Sequence, residues 1–388
     1  MQKNLPLSYV ELSKNNLIHN VKQFRTLVKK GTKIAGVIKA NAYGHGDKEV
    51  AKILVPHVDY FQVNSVEELG EVRTVTKKPI LLLGYVGKND LARAMNLGCI
   101  LGVFDFHHAL LINEIARILG KNPAGPNGRA GKQKVHIAID SHLGREGFLL
   151  EDFEKAMPEF QKMKYISIEG VYSHFANIED TIDFSHAEKQ IDTYTKACAI
   201  LRVYGYKNIQ THISATSGVL AYEKGNGFNH IVRVGLGLYG LWPSEALQKK
   251  YHSKITLKPV MRWVTHIAQV KTLPKGHSIG YGLTYITKKP TTIAVIPQGY
   301  SNGFSRTLSN KGEVLIGGIR APILGRVAMN MFVIDVSKIK DVQPEDEVVL
   351  LGTQGNSCIS AEERAGTYTI NYEITTGISP LLPRIVRK

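Results

Sequence analysis

Between residues 33 and 240 short apolar runs alternate about eight times with polar stretches suited to helices, and this alternation leaves few folds open. The runs are KIAGVIKA (33–40), YFQVNS (60–65), PILLLG (79–84), ILGVFD (100–105), KVHIAID (134–140), EGVYSHF (169–175), NIQTHIS (208–214) and HIVRVGLGLYG (230–240). Segments such as GDKEVAKIL, HHALLINEIARIL and FSHAEKQIDTYTKACAILRVYG lie between them, several with apolar positions three or four apart, the mark of one buried helical stripe. Near-continuous apolar strands separated by helices imply a parallel sheet covered on both faces. Eight such units fit a closed (β/α)8 barrel; a doubly wound open sheet is the competitor. The loop KNPAGPNGRAGKQ (121–133) reads as a solvated insertion before the fifth strand.

After Trp242-Pro243 the texture changes to β-branched runs broken by Gly, Pro and Asn, such as TTIAVIPQGY, GEVLIGG and APILGRVAMNMFVIDV, with a short helical segment near 361–376. The α/β class therefore divides into a barrel domain over 1–245 and a mostly β domain over 246–388. Three scattered cysteines, Cys99, Cys198 and Cys358, form no C-x-x-C pair and no disulfide framework. The first residues lack a signal-peptide core, and no apolar run approaches the roughly 18 residues that span a bilayer. A reduced cytoplasmic setting without membrane attachment is the expectation.

The net charge of +16 raises nucleic acid as a partner. The excess is local, however: residues 246–312 hold eleven Lys or Arg and no acid. No basic run there exceeds two residues and no aromatic platform accompanies them, so nucleic acid is not expected. A cationic approach to a site for phosphate and carboxylate groups fits better.

Barrel active sites collect at the C-terminal ends of strands. Lys39 ends the first run, where burial lowers an ammonium pKa and makes the amine nucleophilic, as Schiff-base chemistry requires. A lysine that simply reaches solvent is the plain alternative. Gly235, Gly237 and Gly240 match GxGxxG, yet Trp-Pro follows and no acidic residue occurs from 246 to 312, so the dinucleotide reading fails. Glycines after the last strands suit a phosphate held by backbone N–H groups, and Thr216 offers a hydroxyl. Lysine and phosphate site together suggest pyridoxal phosphate (PLP), with sugar-phosphate aldol chemistry as the other option. Arg145 and His174 also fall at strand ends. Histidine spacing gives no metal site.

With these residues in view, the chain resembles the bacterial alanine racemases, fold-type III PLP enzymes, over essentially its full length. VIKANAYGHG, DSHLGREG, EGVYSHFA, VRVGLGLYGLWPS, IGYGLTY, IPQGYSNG and GRVAMN carry the resemblance. It implies Lys39 and Tyr281 as two bases on opposite faces of the cofactor, since racemisation removes a proton from one face of Cα and delivers it to the other. It implies Arg233 at the pyridine nitrogen, braced by His174. An always-charged donor keeps that nitrogen unprotonated and holds charge near Cα. Tyr43, Thr216, Gly235 and Leu236 would contact the phosphate and Leu83 would line the cofactor. Arg145 and the Met329 amide would take the substrate carboxylate, with Tyr300 at the entrance. Tyr281, Tyr300 and Met329 would reach the other subunit's cofactor, making a homodimer obligatory.

Four positions depart from the common pattern. Ala138 stands where many members carry a lysine, often carbamylated, that holds the equivalent of Arg145. Asn330 replaces an aspartate, Ala215-Thr216 an Asn-Ser pair, and Pro380 a tyrosine found in some relatives. The activity implied is interconversion of L- and D-alanine, supplying D-alanine for peptidoglycan. A serine/alanine racemase is the nearest alternative. A fold-type III decarboxylase is more remote, because a glutamate rather than Arg233 would be expected at the pyridine nitrogen.

Overall fold

The computed structural model describes residues 5–120, 131–181, 183–223, 229–366 and 368–388. Most of the expected insertion at 121–133 falls on 121–130, outside the described residues. The chain divides into two compact units. One comprises Leu17–Ala42 and Val50–Lys258; the other comprises the N-terminal stretch ending at Asn16, Tyr43–Glu49 and Pro259–Lys388.

Eight parallel strands form the first unit: β2 (Lys33–Val37), β3 (Tyr60–Val63), β4 (Ile80–Leu82), β5 (Ile100–Val103), β6 (Gln133–Ala138), β7 (Ile166–Tyr172), β8 (Gln210–His212) and β9 (Ile231–Val234). Each pairs with the next in sequence from β2 to β8, and β9 returns to pair with β2. A parallel bridge between Ala215 and Arg233 spans the last gap, leaving a nearly closed barrel. Strands β5 and β9 are buried at every residue, which is why they read as continuous apolar runs rather than alternating ones. Ala35, Leu81, Leu83, Ile100, Phe104, Ala138, Tyr172 and Ile231 make one core cluster. Serine and aspartate start several covering helices: Ser65 caps Val66–Arg73 and Asp105 caps Phe106–Ile118, each side chain accepting the third helical amide.

The second unit is mostly β. A ten-stranded sheet runs, in order, β11 (Gln269–Leu273), β14 (Thr291–Ile296), β17 (Phe332–Asp335), β16 (Ile319–Leu324), β15 (Glu313–Ile316), β18 (Glu347–Gln354), β10 (Met261–His266), β1 (Tyr9–Ser13) and β20 (Arg384–Arg387), with β19 (Ser357–Ile359) on β18. Burial alternates along β17, as expected of a sheet with one wet face. The sheet takes up both chain ends: β1 pairs antiparallel with β10 and parallel with β20. The short helical segment resolves into two helices, Ala361–Ala365 and Asn371–Thr376. A small hairpin of β12 (Ser278–Ile279) and β13 (Tyr285–Ile286) carries Tyr281 in its turn.

Candidate active site

The residues singled out in the first unit gather at the C-terminal ends of its strands. Lys39 follows β2, Leu83 follows β4, Arg145 lies beyond β6 and His174 beyond β7. Thr216 follows β8, while Arg233 is the third residue of β9.

Arg233 is 4% exposed. Its terminal nitrogens donate to the carbonyls of His212 (2.9 Å), Ser173 (2.7 Å) and Ile213 (3.2 Å), and to Nδ1 of His212 (2.6 Å) and His174 (3.2 Å). The guanidinium also lies 5.7 Å from the Tyr172 ring centroid. None of these partners is a carboxylate. Burial lowers its pKa to about 10, so it keeps its charge at neutral pH. Among the described residues no acceptor takes the Nε–H.

A guanidinium has no lone pair to offer, so Nδ1 of His212 and of His174 must accept. The His212 proton then resides on Nε2 and is donated to His136 Nδ1 at 2.8 Å. Arg233 thus fixes the tautomers of a histidine chain running down the barrel. Burial, then the charge of Arg233, depresses all three imidazoles, His136 and His174 to about 3. In the unfolded chain His136 and His174 take up a proton near pH 6.5, which the folded barrel refuses until about pH 3. Stability is therefore complete above roughly 6.5 and falls below it, by about 1.4 kcal/mol per pH unit for each histidine. The melting temperature is expected to drop steeply between pH 7 and 5, and a flat profile would show that these rings are not held neutral.

Lys39 makes no hydrogen bond or ion pair among the described residues. Its pKa is lowered by burial first, then by Arg145 and Arg233, while Glu68 and Glu146 act in the opposite sense. Desolvation and two nearby cations make this amine easier to deprotonate, and so more nucleophilic, than a solvated lysine. The chain then turns left-handed: Ala40, Asn41, Ala42 and Tyr43 all have φ near +53°. For non-glycine residues this costs about 1–2 kcal/mol each, so neighbouring groups must impose it.

Thr216 Oγ1 accepts from the Gly235 amide (3.1 Å) and, more weakly, the Gly237 amide (3.4 Å). Its hydroxyl hydrogen stays available to an anion. Leu236 opens a 3-10 turn, Leu236–Tyr239, whose first amides have no partner within the turn. Gly237 has to be glycine, because a Cβ would overlap the Phe24 ring.

Arg145 donates from Nε to its neighbour Glu146 at 2.5 Å, leaving its terminal nitrogens without a partner among the described residues. Together with Asn64, Leu83, Gly84, Tyr85 and Phe104 this pair lines an open recess. Ala138, 1% exposed, lies opposite Tyr172 in the β6–β7 register. The carboxylate beside Arg145 thus comes from Glu146, not from position 138.

The other singled-out residues belong to the second unit. Tyr43 is buried, its ring 6.1 Å from that of Tyr372. Tyr300 and Met329 lie together, because the Tyr300 amide donates to the Ala328 carbonyl (3.2 Å) and the Ser301 amide to the Met329 carbonyl (3.0 Å). Asn330 donates to the Ser301 hydroxyl at 3.0 Å. Tyr281, Leu283, Ile286, Tyr300, Met329 and Met331 are all exposed.

Four groups close to this chemistry were not selected from sequence: His212, His136, Glu68 and Glu146. Closure of the barrel between its last two strands would have pointed to His212, the final residue of β8. The others carry no local signal.

Comparison with known proteins gives the family. The family model for the alanine racemase N-terminal domain matches residues 12–243 and that for the C-terminal domain residues 260–386. Alanine racemase 2 of Caldanaerobacter subterraneus subsp. tengcongensis is 37% identical over 380 residues, 97% of this chain and 94% of that protein. The alanine racemase structure of Clostridium difficile 630 superimposes with a TM-score of 0.90 at 32% identity, covering 99% of this chain and 97% of the other. An alanine racemase from Bartonella henselae, solved with covalently bound pyridoxal phosphate, shares the fold at 23% identity, with a TM-score of 0.83 over 99% of this chain and 100% of its own. This chain belongs to the alanine racemase family.

Proposed function

We propose that the protein interconverts L- and D-alanine with PLP joined to Lys39, by a two-base mechanism. Arg233 is the observation that carries this. A buried cation without a counter-charge, with one donor still unused, is costly unless a neutral acceptor completes it, and a pyridine nitrogen is such an acceptor. The desolvated Lys39 amine and the open Thr216 hydroxyl fit the aldehyde and the phosphate of the same molecule.

PLP bound there supplies an electron sink that acidifies the Cα–H of an attached amino acid. The protein does the rest. Thr216 and the Gly235 and Leu236 amides hold the phosphate, with Tyr43 beside it. Arg233 donates from Nε to the ring nitrogen while His212 and His174 keep its terminal nitrogens occupied; Leu83 flanks the ring. Arg145 and the Met329 amide take the substrate carboxylate, and Tyr300 stands at the entrance. Lys39 and Tyr281 each remove or deliver the Cα proton, one on either face.

Tyr281, Tyr300 and Met329 serve a second copy in this proposal, so the enzyme works as a homodimer. The exposed Tyr281, Leu283, Ile286, Tyr300, Met329 and Met331 of the second unit support a surface that a partner covers. The role proposed is cytoplasmic supply of D-alanine for peptidoglycan. Ala138 and Pro380, where relatives carry larger side chains, favour serine as a second substrate. A chiral assay with added PLP over L-alanine and L-serine tests both: D-alanine should accumulate, D-serine more slowly. No D-product from any amino acid would end the proposal.

A further inference from the structure

Glu68 makes more contacts than its place in a helix requires. Its amide donates to the Ser65 hydroxyl at 3.2 Å, and its carboxylate accepts from the Ser65 amide at 3.3 Å, completing a capping box for Val66–Arg73. A capping box uses one carboxylate contact. Glu68 adds two: Oε2 accepts from the Asn64 amide at 2.7 Å, and Oε1 from the Ala40 amide at 2.6 Å. The Ala40 amide is the first peptide N–H after Lys39 and the entry to the left-handed turn. A further bond at the turn's start runs from the Ala42 amide to the Ile38 carbonyl, 2.9 Å.

We propose that Glu68 is a positioning residue that fixes the peptide following Lys39 and so sets the direction of the Lys39 amine at the barrel mouth. This rests on the reading of Lys39 as the cofactor-bearing residue. A hydrogen bond to an ionised acceptor is about twice as strong as a neutral one, which suits a clamp on strained backbone. The helix beginning at Val66 is thereby tied to the end of β2, and a neutral cap such as serine could not reach both. The charges acting on Lys39 include Arg145, Arg233, Glu68 and Glu146, so Glu68 also supports its charge.

Full-length E68A and E68Q, incubated with PLP and quenched with borohydride, provide the test, with the adduct at Lys39 followed by mass as a function of pH. E68A should trap about tenfold more slowly, the effect of losing one charged hydrogen bond. E68Q keeps one acceptor oxygen for the Ala40 amide but turns an NH2 donor toward the Asn64 and Ser65 amides, so it should trap more slowly than wild type and faster than E68A. Its pH midpoint should also move down, because a negative charge near Lys39 is gone. A role confined to capping would lower melting temperature without moving that midpoint. Wild-type rate and midpoint in E68A would overturn the proposal. If E68A fails to fold, a wild-type trapping rate in E68Q overturns it. A wild type that traps nothing fails differently, by removing the cofactor reading beneath it.

Discussion

Lys39→Ala is expected to be colourless after incubation with PLP, to give no borohydride-stable adduct, and to lose alanine racemisation by at least 10²–10⁴-fold. Wild type treated alike should turn yellow and carry the adduct at residue 39. The size of the effect follows from two roles in one side chain, covalent attachment and proton transfer. Stability should move little, or rise. Lys39 makes no hydrogen bond or ion pair among the described residues, and burial together with Arg145 and Arg233 disfavours its charge. Alanine relieves that repulsion and leaves no orphaned partner. Thermal unfolding should therefore place Lys39→Ala at or above wild type while activity disappears, separating chemistry from folding. An unchanged chromophore, reduced onto a different lysine, would show that the wrong residue has been chosen.

The barrel was legible because parallel strands buried on both faces leave continuous apolar runs: ILGV of β5 and IVRV of β9 are buried throughout and read as strands without tertiary knowledge. The N-terminal strand YVELS gave no comparable signal. It is five residues long, and its partners, Met261–Val264 and Arg384–Arg387, lie hundreds of residues downstream. The same distinction runs through the site. Lys39 and Arg233 stand out locally, a lysine and an arginine inside apolar runs of the sequence. His212 does not, since its importance comes from lying 2.6 Å from Arg233 across neighbouring strands. Four left-handed residues in KANAY contain no glycine, so no propensity rule could place the turn. What imposes it includes the Glu68 carboxylate, 28 positions away along the chain.

Tyr281→Phe should abolish most racemisation, by roughly 10²–10⁴-fold, without weakening the fold. Tyr281 is 74% exposed, and its hydroxyl has no partner among the described residues, so phenylalanine loses no hydrogen bond and no packing. The change in stability should stay within about 0.5 kcal/mol, as for ordinary surface substitutions. The turn that carries it is built by backbone, not by the tyrosine: Gly280 and Gly282 have φ of +73° and +71°, and Leu283 follows at +50°. A Cβ at Gly282 would come within 2.7 Å of the Arg326 guanidinium. An exposed phenol on a turn so tightly specified has no structural duty to explain it. Its proposed duty is proton transfer on one face of Cα, with Lys39 on the other, and that makes the loss directional. Deuterium exchange at Cα in heavy water should collapse for one alanine enantiomer and persist for the other, because Lys39 can still remove and return a proton on its own side. Equal loss for both enantiomers would mean that the two faces do not have separate bases, even if Tyr281 proves essential.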